Sequence, residues 1–167
     1  LLGRLGRPSA PVLVNGDGSP AWPWGVVGSI SHAEGVCIVA LAARGRILGL
    51  GVDLEPRQPI EPQLCRFVCT ERERAMLAGW PTELRRIGGR LLFSAKESVY
   101  KCQYPLTRMP LEYQELTIEL DPGSGVFSAE LPLAPAAAAG TALVLHGRCH
   151  VDPDWIVTGV TLRRETE

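Results

Sequence analysis

The chain has 167 residues, enough for one domain or for two small lobes sharing a core, and enough to bury that core without disulfide or metal staples. Its 17 Lys and Arg against 18 Asp and Glu leave a formal charge of −1, which excludes a global basic field for nucleic acid; any anion must be gripped locally. With 46% hydrophobic and 21% charged residues the composition is that of an ordinary globular protein. No signal peptide and no apolar run of about 20 residues is present. Five cysteines (Cys37, Cys65, Cys69, Cys102, Cys149) are an odd number, and together these features predict a reduced, cytoplasmic protein. The first residue is Leu and LLGRLGRP reads like the end of a helix, so the chain is expected to start within a longer protein.

Residues 8–25 are rich in Pro, Gly and Trp and predict an irregular loop, with turns at Asn15-Gly16 and Asp17-Gly18. Three short apolar runs follow at 26–31, 36–43 and 47–54, and their β-branched content and spacing predict strands in a meander. Residues 56–62 read as a second loop. Thr70-Glu71-Arg72-Glu73 predicts a capping box, with Thr70 as N-cap of a helix running to about Gly79. The strongest helix is expected over 83–103, capped by Thr82, weakened at Gly88-Gly89 and ended by Pro105. Strands are predicted at 116–120, 126–131, 142–151 and 155–162, with a flexible connector over 132–140. Strands, then helices, then strands predict an α+β fold.

The chain has only two lysines, Lys96 and Lys101, and both fall in FSAKESVYK, residues 93–101. Generic positive charge is carried by Arg everywhere else, which points to chemistry for the two lysines. At 100° per residue Leu91, Ala95, Ser98, Val99 and Cys102 share one face, the expected core face. Phe93, Glu97, Tyr100 and Lys101 lie roughly opposite. Glu97 and Lys101 are spaced i, i+4 and can meet, either as a solvated ion pair or as part of a site; the aromatics beside them favour a site.

In GLGVDLEP, residues 49–56, Asp53 and Glu55 point to one side of an apolar strand as it ends. They either surface into a charged loop or share a cation, and two hard oxygen ligands suit Mg²⁺. In GSISHAEG, residues 28–35, Ser31 and His32 stand where a strand turns, beside backbone N–H groups that can hold a phosphate. A nucleophilic Ser–His pair is disfavoured, since neighbours on a strand face opposite ways and no GxSxG elbow exists. Cys65 and Cys69, with His146, Cys149 and His150, raise a zinc reading, but no pair has CxxC spacing.

Together the segments resemble the 4′-phosphopantetheinyl transferase superfamily, in particular its enterobactin synthase component D-like and surfactin-type branch. Gly51-Val52-Asp53-Leu54-Glu55 is similar to the family's G-[VI]-D-x-E strand. Phe93-Ser94-Ala95-Lys96-Glu97-Ser98-Val99-Tyr100-Lys101 is similar to its [FW]-[SCT]-x-K-E-[SA]-x-x-K helix, and SISH with WPWG before it resembles the block ahead of the first signature. The likeness runs from about Gly18 to the C-terminus.

The resemblance implies that the phosphopantetheine arm of coenzyme A is transferred to a serine of an apo peptidyl or acyl carrier protein, with release of 3′,5′-ADP, in siderophore, nonribosomal peptide or polyketide biosynthesis. It implies Mg²⁺ on Asp53, Glu55 and Glu97, Glu97 as general base, Lys101 stabilising the pyrophosphate and holding Glu97, and Ser31 and His32 on the 3′-phosphate of coenzyme A. The role of Lys96 stays open. The resemblance also implies two similar lobes about a pseudo-two-fold in a monomer: residues 1–60 as the remainder of an N-terminally short first lobe bearing Asp53 and Glu55, and 61–167 as a second lobe with the Lys-Glu-Ser helix. One departure is that no Lys or Arg occurs between Arg7 and Arg44, where the family carries a cation for coenzyme A; either nucleotide affinity is reduced, or the charge comes from Arg4, Arg7 or sequence outside this chain. Asp17 stands in that loop instead, which favours the rival reading of a non-catalytic coenzyme A or carrier-protein binding module.

Overall fold

The structure, a computed structural model, describes residues 1–131 and 143–164. The chain opens with a single 3-10 turn, Leu2–Leu5, stopped by Gly6 in the left-handed conformation. Strands β1 (Leu13–Val14) and β2 (Pro20–Ala21) pair antiparallel and clasp the Pro- and Gly-rich loop. Strands β3 (Val26–Ala33) and β4 (Val36–Ala43) form a hairpin. Its two turn residues, Glu34 and Gly35, both take positive φ, the backbone a tight two-residue hairpin turn requires.

β5 (Ile47–Pro56) does not extend that hairpin into the expected meander. It runs antiparallel to β9 (Trp155–Arg163) in a five-stranded sheet of order β5-β9-β8-β7-β6, where β6 is Thr117–Asp121, β7 Val126–Leu131 and β8 Leu143–Val151. β3 still lies beside β5, but side chains make the link. Ser29 and Ser31, both buried, accept the N–H groups of Val52 and Leu54 at 3.0 and 3.2 Å. Hydroxyls thus satisfy the free edge of β5 in place of a backbone ladder.

Three helices connect β5 to β6. α1 (Pro62–Val68) falls where a loop was expected to give way directly to the Thr70 helix; Pro62 is its first residue, a position that needs no N–H. α2 (Glu71–Ala78) has the predicted Thr70–Glu73 capping box, with both hydrogen bonds made. α3 (Thr82–Thr107) is longer than predicted. Pro81, not Thr82, is its N-cap, and Pro105 lies inside it. Pro105 forfeits one hydrogen bond in the last turn, yet the Arg108 N–H still reaches the Tyr104 carbonyl at 2.9 Å, so the helix passes the proline. A Cβ at Gly88 would stand 2.5 Å from the end of the Leu77 side chain, where α2 packs on α3.

The predicted core face of α3 is buried as expected: Leu91, Ala95, Ser98, Val99 and Cys102 all face inward. They pack on Ile118, Phe127, Leu145, Ile156 and Val160 of the sheet. Each fully buried Leu, Ile or Phe contributes about 1.5–3 kcal/mol, which ties α3 to the sheet it crosses. The α+β class expected from the sequence is the class observed. The expected division at residue 60 would part β5 from β9, its hydrogen-bonded neighbour along its length. The connector expected over 132–140 and the predicted strand start at Ala142 lie outside the described residues.

Candidate active site

Gly49, Gly51, Asp53 and Glu55 alternate on one face of β5, and α3 lies against that face. A Cβ at Gly51 would stand 1.8 Å from the Ser98 carbonyl oxygen, and one at Gly49 would stand 2.7 Å from that of Cys102. The two glycines therefore let helix and strand backbones touch. The next residues on the face, Asp53 and Glu55, carry the side chains that meet α3.

Asp53 is the centre of the arrangement. It is only 3% exposed. Its Oδ1 accepts from Lys101 Nζ at 2.6 Å and from Ser31 Oγ at 2.9 Å, and Lys101 Nζ also reaches Ser31 Oγ at 3.2 Å. Its Oδ2 is buried with no hydrogen-bond partner, the only such side-chain atom among the described residues. A buried carboxylate oxygen without a donor costs about 1–3 kcal/mol or more, so this atom is poised for a ligand.

Glu55 is gripped by Arg90, whose Nη1 stands 2.7 Å from Glu55 Oε2 while its other nitrogens donate to the carbonyls of Gln58 and Pro59. Burial pushes the Glu55 carboxyl above its ordinary range; Arg90 opposes this, and the charges of Asp53 and Glu97 add to it. Glu97 accepts a hydrogen bond from the Tyr113 hydroxyl. Burial, then the Glu97 hydrogen bond and the Asp53 and Glu55 charges, hold Tyr113 well above the usual tyrosine range, so it stays a phenol and a donor.

The expected Glu97–Lys101 pair is not made. Lys101 turns to Asp53 instead, because the more deeply buried carboxylate loses most by standing unpaired. Glu97 takes Tyr113. The three carboxylates feel one another's fields, yet among the described residues no three His, Cys, Asp or Glu side chains converge on one point. Like charges in a partly buried place separate onto their own partners: Asp53 onto Lys101, Glu55 onto Arg90, Glu97 onto Tyr113. The donor set nevertheless fits a hard divalent cation, since it consists of carboxylate oxygens and one of them is buried and unsatisfied.

Ser31 and His32 are not brought together. Ser31 points inward and spends its proton on Asp53, while His32 points to the exposed face of the hairpin. A shared phosphate grip by both side chains is not assembled as they stand; alternation along β3 is the reason. Lys96, singled out for chemistry, lies inside the protein. Its Nζ meets Glu73 at 2.8 Å and donates to the carbonyls of Val68 at 2.8 Å and Tyr113 at 2.7 Å. Asp17 is neutralised by Arg108, and Arg7 stacks 5.7 Å over the Trp24 ring. Cys65 and Cys69 stand with sulfurs 3.8 Å apart, and burial pushes the Cys69 thiol up to about 12.

Two of the side chains that organise the site were not singled out by motif. Arg90, Glu97 and Lys101 are spaced i, i+7, i+11 along α3, near whole turns, so that stripe was present in the sequence. Tyr113 follows α3 in a 3-10 turn, Tyr113–Glu115, and no local pattern marks it.

Comparison with known proteins identifies the family. Residues 49–146 match the family model of the 4′-phosphopantetheinyl transferase superfamily, and residues 1–42 match that of the 4′-phosphopantetheinyl transferase N-terminal domain. The chain belongs to the 4′-phosphopantetheinyl transferase superfamily. It is 42% identical over 140 residues to the 4′-phosphopantetheinyl transferase Svp of Streptomyces mobaraensis, covering 83% of this chain and 56% of Svp. It is 34% identical to the 4′-phosphopantetheinyl transferase Npt of Nocardia iowensis, covering 95% of this chain and 75% of Npt. A solved holo-(acyl-carrier-protein) synthase of Bacillus anthracis in complex with CoA (3′,5′-ADP) superposes with a TM-score of 0.48 at 18% identity, covering 71% of this chain and 98% of that one. Among the described residues no helix is long and apolar enough to cross a membrane.

Proposed function

We propose that this protein transfers the 4′-phosphopantetheine arm of coenzyme A to a serine of an apo peptidyl or acyl carrier protein and releases 3′,5′-ADP. The observation that carries the reading is the unsatisfied buried Oδ2 of Asp53 beside two further carboxylates and a lysine. Asp53, Glu55 and Glu97 are the residues that would hold a Mg²⁺ ion, which when bound neutralises charge developing on the pyrophosphate. The serine oxygen forms the new bond to the β-phosphorus, and the bond from that phosphorus to the bridging oxygen breaks, leaving the oxygen with 3′,5′-ADP. Glu97 accepts the serine proton. Lys101, part-exposed and already at Asp53, adds positive charge facing the pyrophosphate. Ser31 supports Asp53 from within, and His32 offers its exposed imidazole to the 3′-phosphate. Carrier proteins of siderophore, nonribosomal peptide or polyketide assembly in the cytoplasm are the recipients this reading expects. Asp17, the feature behind a non-catalytic reading, has its charge matched by Arg108 and does not oppose coenzyme A unpaired.

Mass spectrometry of an apo carrier protein incubated with this chain, coenzyme A and Mg²⁺ tests the proposal. The expected result is a mass gain equal to the phosphopantetheine arm, lost in Glu97→Gln while coenzyme A still binds. No gain with several carrier proteins, or normal turnover by Glu97→Gln, would count against it.

A further inference from the structure

The half-buried Tyr113 side chain packs against two aromatic rings. Its ring lies 5.7 Å from that of Phe67, edge to face, and 5.8 Å from that of Phe93. Its carbonyl is pinned by Lys96 Nζ at 2.7 Å, and Lys96 is itself locked to Glu73. From this fixed seat the hydroxyl donates to Glu97 Oε1. Glu97 has no other hydrogen-bond partner of its own among the described residues, since Lys101 has gone to Asp53. A glutamate on a helix samples several rotamers, and a single donor on a rigid ring selects among them. Lys96 and Glu97, adjacent in sequence, are therefore linked through one residue: Lys96 holds the backbone of Tyr113 and Tyr113 holds the carboxylate of Glu97.

From this geometry we infer that Tyr113 is a positioning residue that commits Oε1 of Glu97 to the phenol and leaves Oε2 for the cation and the carrier serine. The inference rests on the proposed function in giving Glu97 those tasks. It adds a residue outside both sequence signatures, and it gives Lys96 a part in holding the site although its ammonium faces away from it.

The test uses Tyr113→Phe, which keeps the ring between Phe67 and Phe93 and keeps the carbonyl for Lys96. Mn²⁺ binding is followed by electron paramagnetic resonance, alongside kcat and KM for coenzyme A. The expected result is a fall of about 10-fold or more in Mn²⁺ affinity, and in kcat at saturating metal, with the thermal midpoint unchanged. In a Glu97→Gln background the same substitution should leave Mn²⁺ affinity where Glu97→Gln alone puts it. Wild-type Mn²⁺ affinity and kcat in Tyr113→Phe would overturn the inference while leaving the transferase reading intact. An equal loss of affinity with and without Glu97 would overturn it too, by showing a general structural effect. A wild-type chain that binds Mn²⁺ but modifies no carrier protein would sink the transferase reading alone, and the metal measurements would still decide the role of Tyr113. A wild-type chain that neither binds Mn²⁺ nor transfers the arm would overturn both.

Discussion

Lys96 and Glu73 face each other at 2.8 Å with side chains 1% and 0% exposed, so two full charges meet inside the protein. Glu73 is also the capping-box residue of α2, and its other oxygen accepts the Ile118 N–H at 2.7 Å. One carboxylate thus joins α2, α3 and β6. Burial pushes the Lys96 ammonium below its ordinary range and Glu73 pulls it back. Breaking such a pair on one side strands the other charge, at a cost of about 3–5 kcal/mol. Lys96→Met should therefore destabilise the fold by that order in urea unfolding, and Lys96→Met with Glu73→Gln should recover much of it. A loss below about 1 kcal/mol for Lys96→Met alone would contradict a buried, mutually dependent pair.

Gly51 is the contact point of β5 and α3. An added Cβ meets backbone, the Ser98 carbonyl, and no flexible side chain can yield. Gly51→Ala should cost about 3 kcal/mol or more, or leave the chain unfolded on expression, because overpacking must push helix and strand apart. Gly16→Ala, with open space around the site, serves as control and should shift the unfolding midpoint little. Equal midpoints for the two variants would disprove the contact.

Cation binding at Asp53 has a signature that needs no carrier protein. A ligand present at 100 times its Kd and bound only by the folded state adds about 2.7 kcal/mol of stability. Mg²⁺ should raise the thermal midpoint of the wild type, and a chelator should reverse the rise. Asp53→Ala should abolish the response. A midpoint that ignores Mg²⁺ in the wild type, or an undiminished response in Asp53→Ala, would remove Asp53 from any metal site.

The β8–β9 turn carries a pH dependence remote from the site. Asp152 accepts the N–H groups of Asp154 and Trp155 at 2.8 and 2.7 Å, which hold its carboxyl below the ordinary 3.8. A folded-state value below the unfolded one contributes stability above pH 3.8, lost as pH falls through the folded-state value. Asp152→Ala should lower the thermal midpoint at pH 7, and its difference from wild type should narrow steadily below pH 3.8. A difference that stayed constant with pH would show that the carboxylate charge is not what closes the turn.

By itself the sequence determined the local features. The Thr70–Glu73 box, the core face of α3, the later strands and the GVDLE and FSAKESVYK signatures are each written in adjacent or periodic residues, and periodicity is what a chain reveals without its partners. The candidate site residues Asp53, Glu55 and Glu97 stand within those signatures. Tertiary structure alone decided who pairs with whom. Lys101 left Glu97 for Asp53, Lys96 turned inward to Glu73, Ser31 and His32 parted, and β5 left its sequence neighbours for β9. Tyr113 entered from a turn that carries no motif. The physical reason is desolvation. A buried charge or N–H group takes the partner that costs least to bury with it, and that partner is chosen by the packing of distant segments rather than by spacing along one helix or strand.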